Sequence, residues 1–376
     1  MMGIIFRIIS SLASLVPTRD QICFSSFPDY SDNAYTVFQY LLREGYYRKY
    51  TLVWLCKEKK EIGRIQSELG KNEAGVKVLD KYTVKGVWAY IRSRYVFETH
   101  GLYPSLRLRQ HPDKHICMWH GMPLKKVGAM IGEPCSPNCN LTLANSSVFQ
   151  EKMAEAFALP LHRVWVTGQP RCDELFCKTA YWDSIGFDAS RYKSVGIWMP
   201  TYRKSIVGDI RTDGTFMEQQ VGPLSFDDLK QLDAALASME AFLFIKIHPM
   251  DALQQAVFPS FTHIRIIFPQ DFSFPLYPFL GSCDYLLTDY SSVFIDYDIC
   301  QRPMAFIMDD IDAYSGSRGL CFDDLEAVLP GPVLTDLAGV IAFIRSPYRK
   351  ESSIELNQFK DNQATLRLIQ KLGIEK

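Results

Sequence analysis

The sequence predicts an α/β protein made of two doubly wound parallel-sheet domains facing a cleft, and three observations predict it. The chain has 376 residues, beyond the size at which one hydrophobic core usually keeps growing. Short apolar runs bounded by turn residues alternate with helix-length stretches, the pattern of parallel sheets with crossover helices. The alternation pauses around Tyr181 to Tyr192 and then restarts.

Before the pause, strands are expected at Ile22 to Ser25, Tyr50 to Cys56, Tyr95 to Glu98, Ile116 to Trp119, Leu141 to Ala144 and Arg163 to Thr167. After it they are expected at Val195 to Met199, Phe242 to Ile247, Ile264 to Phe268, Tyr285 to Thr288 and Met304 to Met308. The resulting division is an amphipathic N-terminal segment over 1–19, a first domain over 20–185 and a second over 186–350. A polar, helical C-terminal segment over 351–376 is placed to cross back onto the first domain.

The N-terminal segment carries Ile4, Ile5, Ile8, Ile9, Leu12, Leu15 and Val16 on one helical stripe before Pro17. It is shorter than the roughly 20 apolar residues that span a bilayer, and it lacks a small-residue cleavage site. A helix packed on the body and an in-plane membrane anchor are both compatible with it; an untidy signal peptide is the third reading.

Composition removes several function classes. With 41 basic and 42 acidic residues there is no general positive field to attract nucleic acid. Ten cysteines scattered from Cys23 to Cys321 do not form a disulfide framework and read as reduced and intracellular. The closest pairs, Cys135 with Cys139 and Cys172 with Cys177, have no second pair at zinc-site spacing.

Open α/β sheets bind ligands at the carboxyl ends of their strands, and polar residues fall at those ends repeatedly. His120 and Gly121 follow one run, and Pro200, Thr201 and Arg203 another; His248 and Pro249 close a third, and Asp289, Ser291 and Ser292 a fourth. The run ending at Thr288 leads through Asp289-Tyr290-Ser291-Ser292 into an apolar-periodic helix. A helix start with two hydroxyls offers N–H groups and a positive dipole end to a diphosphate, although the same residue types serve as ordinary caps. Asp296, one turn further, is placed either to accept from ribose hydroxyls or to face solvent.

Asp296 and Asp298, two apart on a helix, do not share a face, and a metal-independent site is expected. Cations must then neutralise the leaving group, and Arg203, Lys204, Lys246, His248 and Arg318 stand at strand ends and loops. His120 follows a buried run and has the residue type that accepts a proton near neutrality; His100 also precedes a glycine, in FETHG. Lys125 and Lys126 are placed either to hold an anionic acceptor or to form a solvated face.

The ordered set HGMPLKK, TGQPRCD, MPTYR, KIHP and LLTDYSSVFIDY, then RP, Tyr314, RG and PGP, resembles the CDP-glycerol glycerophosphotransferase family of teichoic-acid and capsule synthesis. The resemblance runs from about Asp20 to Ile344 and implies two Rossmann-like domains of the GT-B kind, acceptor domain first and nucleotide domain second. It implies His120 as general base, and Thr201, Arg203 and His248 on the donor phosphates. Asp289, Ser291 and Ser292 match the donor motif, Asp296 stands near the ribose, and Arg318 with Gly319 falls in a loop close to the donor.

The implied reaction moves glycerol phosphate from CDP-glycerol to a hydroxyl of a lipid-linked or polymeric cell-envelope glycan, releasing CMP. No cofactor is implied, and the implied location is the inner face of the cell membrane. CDP-ribitol is an alternative donor, and a nucleotide-sugar glycosyltransferase of the same outline is an alternative class. Nothing in the sequence argues an oligomeric state.

Overall fold

The computed structural model describes residues 16–69, 75–103, 115–132, 139–177, 181–202, 219–249, 251–269, 275–309, 311 and 319–376. Two compact units divide the chain. The first holds Met1–Met122, Val127–Glu174 and Asp361–Lys376; the second holds Pro123–Lys126 and Leu175–Lys360.

The first unit is built on strands β1 (Arg19–Ser25), β2 (Thr51–Cys56), β3 (Val76–Asp80), β4 (Ser93–Glu98), β5 (His115–Cys117), β6 (Leu141–Ala144) and β7 (Val164–Val166). They form one sheet in the order β3-β2-β1-β4-β5-β6-β7, every neighbouring pair parallel. Leu52, Val53, Trp54 and Leu55 are all fully buried, because helices cover both faces of such a sheet and leave no side for polar alternation. The order reverses between β1 and β4, so the carboxyl ends there flank the switch point where doubly wound sheets take ligands.

The second unit repeats the plan with β8 (Ser194–Met199), a hairpin of β9 (Gln220–Val221) and β10 (Leu224–Ser225), then β11 (Ala241–Lys246), β12 (Ile264–Ile267), β13 (Tyr285–Thr288), β14 (Met304–Ile307) and β15 (Val333–Leu334). Its main sheet runs β12-β11-β8-β13-β14-β15, again parallel throughout. The switch point lies between β8 and β13. The helix Phe226–Met239 opens on a reciprocal capping box between Ser225 and Asp228, which satisfies otherwise unpaired N–H groups. Gly196 in β8 is required by close packing: a Cβ there would meet the Tyr285 ring at 2.0 Å.

The two parallel, doubly wound sheets are the fold class expected from the alternation of apolar runs. The differences are local. β5 stops at Cys117 rather than reaching Trp119, because Trp119 takes a positive φ of 58° and turns its carbonyl out of the ladder to accept from Asn33 Nδ2 at 2.9 Å. β3 and β15 escape the apolar-run criterion, one carrying a lysine and an aspartate, the other only two residues long. Around Tyr181 to Tyr192 the chain forms a short helix, Tyr181–Ser184, and a single turn, Ala189–Arg191.

The C-terminal helix is confined to Ala364–Lys371. The Asp173 carboxylate accepts from Ala364 N–H at 2.8 Å and from Thr365 N–H at 2.9 Å, anchoring the helix start by charge and hydrogen bonds together. Leu368, Ile369 and Ile374 then complete the first unit's core. Among the described residues no helix is long and apolar enough to cross a membrane. The N-terminal stripe up to Leu15 lies outside the described residues.

Candidate active site

At the first unit's switch point, β4 and β5 deliver two histidines to the same rim. His100 stands two residues beyond β4 and His120 three beyond β5, and their rings stack with centroids 4.3 Å apart and an interplanar angle of 13°. Trp119 closes on His120 at 4.0 Å, and Phe27 meets His100 edge-on at 5.6 Å. The Thr99 hydroxyl bonds His100 Nδ1 at 2.8 Å, fixing that ring's rotation.

His120 keeps an exposed face, yet desolvation by the surrounding protein, with His100 and Arg171 opposing a positive charge, pushes its pKa down to about 4. The Asp32 charge and a hydrogen bond to the Thr99 backbone pull the other way. A ring N–H donated to that carbonyl leaves the second nitrogen as an acceptor. A neutral imidazole with an open acceptor nitrogen is the form a general base needs at pH 7.

The rim is braced from below. Asn33, fully buried, donates to the Trp119 carbonyl and to Gln169 Oε1 and accepts from Arg171 N–H at 3.0 Å. Arg171 in turn pairs with Asp32 at 2.8 Å. Glu98, also buried, accepts from the Gly101 N–H directly after His100, and burial pushes its carboxyl up to about 7. Behind it His115, 3.8 Å away through Nε2, is driven down to about 3 by desolvation.

At the second unit's switch point, the Asp289 carboxylate reaches across from the end of β13 to the end of β8. It accepts from Thr201 N–H at 3.0 Å through each oxygen and from the Thr201 hydroxyl at 3.0 Å. Thr288 ties the same two strands by donating to the Met199 carbonyl at 2.7 Å. On the neighbouring strand end, β11 supplies Lys246 and then His248, whose ring lies 5.0 Å from that of Tyr202. Desolvation, with the charges of Lys246 and Lys125, pushes His248 down to about 4; Lys246 itself is pushed down to about 8 by desolvation. Positive charge gathered beside a neutral imidazole is an arrangement that an anionic ligand would stabilise.

Thr201, Lys246, His248, Asp289, Ser291 and Ser292 thus come together on the ends of β11, β8 and β13. Ser291 and Ser292 precede a helix of only five residues, Val293–Tyr297; Ser291 Oγ accepts from Val293 N–H at 3.4 Å. Asp296 does not face solvent. It is buried, and its Oδ2 accepts from the Tyr277 hydroxyl at 2.6 Å.

Lys125 and Lys126 belong to the second unit and not to the first, where sequence adjacency to His120 places them. The reason is a small antiparallel bridge: Lys125 pairs with Leu320, Lys126 N–H donates to Gly319 O at 3.1 Å, and Cys321 N–H to Leu124 O at 2.9 Å. Arg203, Lys204 and Arg318 lie outside the described residues. Tyr277 and Asp32 were missed by sequence reasoning, since no local pattern marks them; Arg171 was visible only as part of TGQPRCD and Tyr202 only as part of MPTYR.

A family model described as CDP-Glycerol:Poly(glycerophosphate) glycerophosphotransferase matches residues 8–370. A teichoic acid poly(glycerol phosphate) polymerase of Bacillus spizizenii is 24% identical over 388 residues, covering 96% of this chain and 91% of that protein. A teichoic acid ribitol-phosphate primase of the same organism is 24% identical over 259 residues, covering 63% and 62% respectively. Among solved structures, the wall teichoic acid polymerase TagF superposes with a TM-score of 0.67 at 19% identity, over 99% of this chain and 95% of that one.

Proposed function

The chain belongs to the CDP-glycerol:poly(glycerophosphate) glycerophosphotransferase family of polyol-phosphate transferases, and on that premise we propose that it moves glycerol phosphate from CDP-glycerol to a hydroxyl of a cell-envelope glycan at the inner face of the membrane. The carrying observation is the second unit's rim, where Asp289 holds the Thr201 N–H and hydroxyl beside Lys246 and His248. Such a rim is suited to a diphosphate, and the strand-end position is the one doubly wound folds use for nucleotides.

In this reading His120 takes the proton from the acceptor hydroxyl as its oxygen attacks the donor's β-phosphorus. The bond from that phosphorus to the bridging oxygen breaks, and CMP leaves with the electron pair. Catalysis then rests on positioning and on charge stabilisation of the equatorial and leaving oxygens. Thr201, Arg203, His248, Ser291, Ser292 and Arg318 would meet those oxygens. Asp289 acts by orienting Thr201, and buried Asp296 with Tyr277 shapes the wall near the ribose. Lys125, whose charge opposes protonation of His248, adds to the anion-holding side; the exposed Lys126 is left for the acceptor.

Ribitol phosphate is the second reading, favoured by the similarity to a ribitol-phosphate primase. The deciding experiment measures nucleotide release by purified protein with a membrane extract as acceptor. CMP from CDP-glycerol supports the proposal and CMP from CDP-ribitol alone selects the second reading. UDP from a UDP-sugar, with silence from both cytidine donors, would sink both.

A further inference from the structure

The helix Val84–Arg92 in the first unit presents an outward face that solvent alone does not explain. Its inner face is Gly86, Ala89 and Tyr90, seated so closely that a Cβ on Gly86 would meet the Asp80 carbonyl at 2.3 Å. The outer face should then be polar. Instead Val84 is 86% exposed and Trp88, one turn on, 49% exposed, while Tyr82, just before the Thr83 cap, is 68% exposed.

Cations surround these three side chains. Lys81 Nζ sits 5.3 Å from the Tyr82 ring centroid and the Arg92 guanidinium 5.5 Å from that of Trp88; Lys85 is exposed on the same face. No acidic residue occurs between Asp80 and Glu98, and both of those carboxylates are buried. Arg94, the remaining cation of the stretch, is taken up by Asp20 at 2.8 Å. Val16, the last residue of the N-terminal apolar stripe, packs in the cluster that the helix's inner face joins, beside this helix.

Amphipathic aromatic rings flanked by Lys and Arg, on a segment that carries no exposed acid of its own, are the composition of a headgroup-level contact. We propose that this face docks on an anionic lipid bilayer, with Trp88, Tyr82 and Val84 entering the interface and Lys81, Lys85 and Arg92 meeting lipid phosphates. Docking through a rigid helix would fix the first unit's orientation to the surface, which a flexible tether would not. The proposal rests on the membrane-face location proposed above and stands apart from the identity of the donor.

The test is sedimentation of the purified full-length chain with vesicles of phosphatidylcholine alone or with phosphatidylglycerol added. Wild type should bind the mixed vesicles and prefer them strongly to neutral ones. Lys85→Glu should cut affinity for the mixed vesicles by fivefold or more, since one cation near an anionic surface is worth roughly fivefold. The pair Tyr82→Ala and Trp88→Ala should weaken binding to mixed vesicles at least about tenfold, from lost interfacial burial. All these side chains are exposed, so unfolding temperatures should stay at the wild-type value. Unchanged vesicle binding in both variants would overturn the proposal and assign attachment to another part of the chain. It would also fail if wild type bound no vesicles but formed a dimer that Trp88→Ala dissolves. CMP release is read separately, so failure of the donor assignment leaves this result interpretable.

Discussion

The rims of the two sheets use the same position for opposite chemistry. In the first unit the strand ends bring two imidazoles into contact, 4.3 Å apart, backed by aromatic rings and a buried hydrogen-bond network. In the second they bring Lys246, His248 and an Asp289-held threonine together. One rim keeps a proton acceptor neutral, whereas the other concentrates donors and positive charge. The fold supplies the switch point in both cases, and only the residues at the strand ends set the proposed base of one rim apart from the proposed anion grip of the other.

The sharpest way to break this comparison is to remove each histidine in turn. His120→Ala should lower kcat by at least about a hundredfold, the lower end for acid–base catalysis, while leaving donor affinity near wild type in a binding measurement. His248→Ala should cost a similar factor through lost charge stabilisation. A folded His120→Ala enzyme that turns over normally, or one whose only defect is donor binding, would remove the division of labour.

Next in size is Asp289→Ala, which frees the Thr201 N–H and hydroxyl from their common acceptor. Donor KM should rise at least about tenfold, as expected when a charge-assisted hydrogen-bond set of about 1.5 kcal/mol or more is lost. Steady-state kinetics on the two CDP-polyols would show it. An unchanged KM would mean that Thr201 holds its place without Asp289.

A smaller effect tests the histidine stack. With His120 pushed down to about 4, the acid limb of kcat/KM should fall only as pH drops towards that value. His100→Ala removes a neighbour that opposes protonation and should move the limb upward, because His120 then accepts a proton more readily. A limb unmoved by the substitution would assign the low pKa to burial alone.

The smallest expected effect concerns the layer behind the first rim. Glu98 is raised to about 7 when folded against an ordinary value near 4.3. The unfolded chain therefore loses its proton first. Glu98's contribution is complete below about pH 4.3 and is lost as pH rises through about 7. His115, lowered to about 3 when folded, has the opposite sense: stability falls as pH drops below its ordinary value near 6.5 towards 3. Glu98→Gln should flatten the loss on the alkaline side and leave the acid-side loss in place, measured as unfolding temperature against pH. An unchanged alkaline slope would mean that Glu98 is ionised in the folded protein.

The alternation of apolar runs and polar punctuation determined the two parallel sheets, because strands buried on both faces must be apolar along their length and their ends must leave the core. It also singled out His120, His248 and Asp289, each directly after such a run, and Thr201, one residue further on. What it left out depends on partners distant in the chain. Buried Asp296 accepts from Tyr277, and Lys125 leaves the unit of its neighbour His120 because Leu320 pairs with its backbone. The His100–His120 stack is likewise a product of β4 and β5 lying side by side. Periodicity records how each residue meets the core, whereas the contacts between loop residues follow from which strand ends the crossover topology makes adjacent, and only the tertiary structure decides that.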